Sequence, residues 1–145
     1  SYYLSLREQY EYFKINSQTR FTPPVQTLYA LKQAINETKA ETIKKRYSRY
    51  KKSWRSLTEG INKLGLNYLV KEENHSKIIT AINLPHKINF KELHDYFYLN
   101  GITIYPGKIN EIDTFRIANI GDIDHRDIDH FLNHLRSFLI SKSNF

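Results

Sequence analysis

Apolar positions along this chain change their spacing from helical to alternating near the middle, and the change divides the elements. Between residues 41 and 64, Ile43, Tyr47, Tyr50, Trp54, Leu57, Ile61 and Leu64 recur in alternating fours and threes. That spacing puts one apolar stripe on a long helix, and Gly65 predicts its end. Ahead of it, Leu6, Tyr10 and Phe13 predict a short amphipathic helix that ends before Asn16. Thr22, followed by Pro23 and Pro24, is the predicted N-cap of a helix carrying Val25, Leu28, Leu31 and Ile35. Beyond Gly65 the pattern predicts strands over 67–70 and 77–84, a helix marked by Phe90, Leu93 and Phe97 and capped at Asn100 and Gly101, then strands over 102–105 and 115–120. Pro106-Gly107 and Gly121 are the expected turns after those two strands, with a polar spacer running to Thr114. A last helix starts at Asp124, with Asp127 in a capping-box position and Ile128, Phe131, Leu132, Leu135, Phe138 and Leu139 facing inward. The order predicts an α+β fold: a three- to four-stranded antiparallel or mixed sheet with helices on one side.

Composition narrows the functional classes. A chain of 145 residues, forty per cent apolar, has enough apolar content for one core. The absence of cysteine excludes disulfides, thiolate nucleophiles and thiolate metal sites, and fits a cytoplasmic protein. No segment approaches an apolar membrane span. The net charge of +7 suits an anionic ligand, a nucleic acid or an acidic protein surface. Much of it lies in Lys44, Lys45, Arg46, Arg49, Lys51, Lys52 and Arg55, mainly off the apolar stripe. Nucleic-acid contact would need exposed aromatics among these charges. Because Tyr47, Tyr50 and Trp54 fall on the stripe instead, a solvated face is the expected reading. A free-standing basic module binding an acidic protein or nucleic acid through this face remains the alternative.

Candidate chemistry is sparse. Asp122, Asp124, His125, Asp127, Asp129, His130 and His134 offer ligand types, but they lack the spacing of a zinc hydrolase helix or a calcium loop, so no metal is expected. No serine stands in a glycine-flanked elbow, and no catalytic residue is assigned. Lys108, in a solvated turn, is not expected to bond a carbonyl. Arg116 stands out. It lies between Phe115 and Ile117, so on an alternating strand it points away from both and presents a fixed guanidinium suited to a planar acid group.

Two motifs, Gly-Ile-Thr-Ile-Tyr-Pro-Gly-Lys from Gly101 and Phe-Arg-Ile-Ala-Asn-Ile-Gly-Asp from Phe115, closely resemble the C-terminal end of class V, pyridoxal phosphate-dependent aminotransferases. Within that class they look like the 2-aminoethylphosphonate:pyruvate transaminase family. The likeness runs in order through Arg20-Phe21-Thr22-Pro23-Pro24, Arg46-Tyr47 and Ile78-Ile79-Thr80-Ala81. It implies the small C-terminal domain of a fold-type I homodimer that moves an amino group from 2-aminoethylphosphonate to pyruvate, giving phosphonoacetaldehyde and alanine. Arg116 then matches the family's substrate-binding arginine, and Thr22 matches a threonine near the cofactor phosphate, across the dimer interface. Ala118 stands where relatives often have Gly.

The resemblance also implies what lies elsewhere. The lysine that bonds the cofactor, the aspartate that partners its pyridine nitrogen and the aromatic that stacks on its ring belong to a large domain preceding Ser1. Residues 1–37 are then connecting helices and 38–145 the small domain. Ser1 and the absence of Met fit a piece of something longer, expected to be inactive alone, to bind no cofactor covalently and to expose apolar surface that favours self-association.

Overall fold

The computed structural model describes residues 2–109 and 112–143. Two compact units divide it, Ser1–Thr42 and Ile43–Phe145. In the first, α1 (Leu6–Asn16) is capped by Ser5, whose hydroxyl accepts from the Glu8 amide at 3.3 Å, and ends at Ser17 in the left-handed region. Its successor α2 (Val25–Glu41) departs from the predicted start. The N-cap is Pro24, without a side-chain bond, and the Leu28 amide donates to the Pro24 carbonyl at 3.0 Å. Thr22 stands two residues too early to reach the first free amides, so it does not cap the helix. Neither helix buries a residue: Leu6, Tyr10, Phe13, Val25, Leu28, Leu31 and Ile35 are all exposed.

The second unit carries the core. Its elements are α3 (Ile43–Lys63), β1 (Ile79–Asn83), α4 (Phe90–Leu99), β2 (Tyr105–Ile109), β3 (Ile112–Ala118) and α5 (His125–Ser143), with a 3-10 turn at Glu72–Asn74. The strands form an antiparallel sheet in the order β1-β3-β2. Ile82, Phe115 and Ile117 point from one face into Leu57 and Ile61 of α3, Leu93 and Phe97 of α4, and Ile128, Phe131, Leu135 and Phe138 of α5. Phe97 and Phe131 stack at 5.0 Å between ring centres. The helices therefore sit on one side, as the alternation predicts.

Several boundaries differ from the sequence pattern. On α3 the stripe is buried only from Trp54 onward; Ile43 and Tyr47 are 78% and 54% exposed, because the sheet and α5 cover only the later turns. The 67–70 strand reduces to one bridge, Tyr68 to Ile82. Lys77 has φ 63°, which turns the chain and delays β1 to Ile79. The 102–105 strand is absent up to its last residue. The Ile102 amide still donates to the Phe97 carbonyl at 2.9 Å, closing the end of α4, and extended pairing begins only at Tyr105.

Pro106-Gly107 is not a turn but the middle of β2. The edge position explains it, since proline has no amide to give a neighbour and an edge strand needs none. Much of the polar spacer belongs to the hairpin, Lys108 pairing with Asp113 and Ile109 with Ile112. The side chain of Lys108, and residues 144–145 of the tail, lie outside the described residues.

Candidate functional site

Alternation along β3 sets the site. Phe115 and Ile117 face the core, and Arg116 is exposed on the opposite, open face of the sheet. Register puts Tyr105 of β2 directly opposite Arg116, so both side chains stand on that face. The Arg116 Nε donates to the Pro106 carbonyl at 3.2 Å, which fixes the plane of the guanidinium and leaves its two terminal nitrogens unpaired among the described residues. No carboxylate among the described residues forms an ion pair with it.

Gly107 makes that pose possible. A Cβ there would lie 3.3 Å from Arg116 Cγ and 2.5 Å from Thr114 Oγ1, so the arginine stem and the threonine occupy the space that a side chain would need. The Thr114 hydroxyl donates to the Gly107 carbonyl at 2.9 Å. In the sequence Gly107 reads as a turn residue; its role beside Arg116 depends on cross-strand register, which no local pattern reveals.

Because β2 begins opposite Arg116, the next residues of β3, Ile117 and Ala118, have no strand neighbour on that side. The gap continues into a cavity of about 480 Å³ whose lining includes Thr103, Tyr105, Arg116, Asp127, Ile128 and His130. It therefore brings together a guanidinium, two hydroxyl-bearing side chains, an imidazole and the Asp127 carboxylate, which already accepts from the Asp124 amide.

The loop behind β3 is fastened to α3. Buried Asn119 donates from Nδ2 to the carbonyls of Tyr50 and Lys77 at 3.0 and 3.1 Å. Arg49 donates to the carbonyls of Gly121 and Ile123, and the Gly121 amide donates to the Tyr50 hydroxyl at 3.2 Å. Arg49 and Tyr50 thus have a structural task that the charge and stripe patterns did not suggest. At the start of α5 the predicted capping box forms: the Asp124 amide donates to Asp127 at 2.8 Å and the Arg126 amide to Asp124 at 2.7 Å. The Arg126 guanidinium and amide hold the Asp124 carboxyl down to about 2.

The remaining candidates lie apart from Arg116. Thr22 is exposed, its hydroxyl unpartnered among the described residues, in an open pocket formed by residues 18–23. Arg20 beside it is engaged: its guanidinium lies 4.3 Å from the Tyr2 ring centre and donates to the Tyr2 carbonyl. His130 and His134 touch edge to face at 4.6 Å, and no group of three metal-ligating side chains gathers among the described residues. No helix among them is long and apolar enough to cross a membrane.

No family model matches the chain. Individual proteins do. The chain is 38% identical over 126 residues to the 2-aminoethylphosphonate–pyruvate transaminase of Phocaeicola vulgatus, covering 86% of this chain and 35% of that protein. It is 37% identical over 133 residues to the transaminase of the same name from Bacillus cereus, covering 90% of this chain and 36% of that protein. The chain is a homologue of these transaminases. It spans about a third of the length of the curated relatives that it matches.

Fold agrees with sequence. The alanine–glyoxylate aminotransferase of Nostoc superposes over 96% of this homologue and 38% of its own chain, with a TM-score of 0.87 at 20% identity. The matched part is a C-terminal domain of the class V aminotransferase fold. These relatives bear out the family read from the two motifs and do not favour the free-standing basic module.

Proposed function

We propose that this chain is the substrate-binding C-terminal domain of a pyridoxal phosphate-dependent aminotransferase that transfers the amino group of 2-aminoethylphosphonate to pyruvate, giving phosphonoacetaldehyde and alanine. The observation that carries the reading is Arg116: a guanidinium held at Nε by Pro106, with its terminal nitrogens open beside a cavity, in a homologue of such transaminases. A fork of two N–H donors on a rigid strand grips an acid group in one orientation. Fixing that end of a short amino acid fixes where its amine lies, and positioning of this kind is worth several orders of magnitude in rate.

Pyridoxal phosphate, when bound, supplies the electron sink for breaking bonds at the amine-bearing carbon. Thr22 suits its phosphate end: an exposed hydroxyl, unpartnered among the described residues, in the open pocket of residues 18–23. Among the described residues no lysine lines the Arg116 cavity. We therefore assign the bonding lysine to another portion of a longer protein, place the working enzyme in the cytoplasm as a homodimer, and expect the isolated chain to be inactive.

The test is a coupled alanine assay with 2-aminoethylphosphonate, pyruvate and pyridoxal phosphate. The 145-residue chain should form no alanine above the buffer control. The protein encoded by the complete reading frame should form it, with Arg116→Gln raising KM for the amino donor. Turnover by the chain alone, abolished by Arg116→Ala, would contradict the division of labour, and a complete protein indifferent to Arg116→Gln would contradict the site.

A further inference from the structure

A carboxylate and a phosphonate differ in how many oxygens they present, and strand register places a phenol hydroxyl beside the Arg116 fork. Tyr105 is the direct cross-strand partner of Arg116, lines the same cavity and is 62% exposed, with its hydroxyl unpartnered among the described residues. Directly opposed residues of an antiparallel pair have Cβ atoms about 5 Å apart. A group seated on the Arg116 fork is therefore within reach of the Tyr105 ring and its hydroxyl.

Resting on the reading of Arg116 as the acid-binding residue, we propose that Tyr105 determines specificity, donating its hydroxyl to the third oxygen of a phosphonate. The Arg116 fork takes two coplanar oxygens. A carboxylate has no more to offer, whereas a tetrahedral phosphonate keeps one oxygen out of that plane. With Nε tied to Pro106 and Gly107 lacking a side chain, the phenol is the donor that the register places beside the fork. Tyr105 contributes nothing to the apolar core, being largely exposed on the open face. A hydrogen bond to a charged acceptor discriminates more sharply than one between neutral groups, so one hydroxyl suffices for a measurable preference.

The chain itself can be titrated by NMR with 2-aminoethylphosphonate and with β-alanine, which share the amine and the two-carbon spacer and differ only in the acid group. Tyr105→Phe, which removes one oxygen and keeps the ring, should weaken 2-aminoethylphosphonate by roughly fivefold or more while changing β-alanine by less than about twofold. Taurine, tetrahedral but singly charged, should weaken with the phosphonate if the third oxygen is what Tyr105 reads. Equal changes for 2-aminoethylphosphonate and β-alanine, or no change for either, would overturn the inference. Arg116→Gln serves as the separate control: loss of both ligands in that variant, with Tyr105→Phe silent, sinks only the role of Tyr105. Indifference of both ligands to Arg116→Gln sinks the acid-binding reading beneath it.

Discussion

The stem of Arg116 lies across Gly107, close enough that a Cβ on the glycine would stand 3.3 Å from the arginine Cγ. Gly107 has no left-handed backbone to protect, so alanine changes the space beside Arg116 rather than the strand conformation. Gly107→Ala should push the Thr114 hydroxyl off the Gly107 carbonyl, crowd the Arg116 stem and weaken 2-aminoethylphosphonate binding by roughly two- to tenfold, the scale of one impaired hydrogen bond. Titration of the variant checks the affinity, and far-UV circular dichroism should show the sheet and helices retained.

Asn119 joins three segments through one side chain, bonding carbonyls on α3 and just before β1 while its own amide donates to the Ile78 carbonyl. Asn119→Ala removes both side-chain bonds that tie this loop to α3 and to the segment before β1. The expected loss is about 2 kcal/mol, read as a lower denaturation midpoint with an unchanged slope. A midpoint equal to that of the parent chain would mean that the β3–α5 loop is held mainly by Arg49 and Tyr50.

His75 ties stability to mild acid. It packs against Trp54 and Tyr68, its Nδ1 accepts from the Lys77 amide at 2.8 Å, and burial followed by the nearby Lys77 charge lowers its pKa below 6.5. The unfolded chain takes up a proton near 6.5 and the folded chain only at lower pH, so the unfolded state binds more protons in between. Stability is then complete above that value and declines as pH falls through it towards the folded pKa. Denaturation midpoints should fall from about pH 7.5 to about pH 5.5, and His75→Phe should flatten that dependence.

A second window lies in stronger acid. Arg126 holds Asp124 at about 2 against an ordinary 3.8, so the α5 cap is complete above 3.8 and is lost as pH falls towards about 2. Arg126→Ala should move the carboxyl titration of Asp124, followed by carbon NMR, back towards 3.8. A titration that stays near 2 would assign the shift to the helix start instead.

How legible each element was depended on what stabilises it. The α5 capping box was readable because Asp124 and Asp127 bond backbone three residues apart or less, and burial of Phe115 and Ile117 followed from alternation alone. The strand boundaries were not. Tyr105 to Ile109 pairs only because β3 lies beside it, and that partner overrides the turn preference of Pro106-Gly107. At the site, Arg116 was visible as a charge inside an apolar run, whereas Gly107, Tyr105 and Pro106 act on it through register and a backbone carbonyl. The Thr22 cap failed because Pro24 had already taken the N-cap position that the paired prolines disguised.

Where 2-aminoethylphosphonate binds separates the Arg116 site from the basic face of α3, and an amide and guanidinium chemical-shift map of the titrated chain locates it. Shifts should concentrate at Gly107, Arg116 and Ile117 and at the terminal nitrogens of Arg116, with its Nε moving less because Pro106 already holds it. They should vanish in Arg116→Gln. Shifts confined to the basic residues of α3 between Lys44 and Arg55, surviving Arg116→Gln, would contradict binding at Arg116.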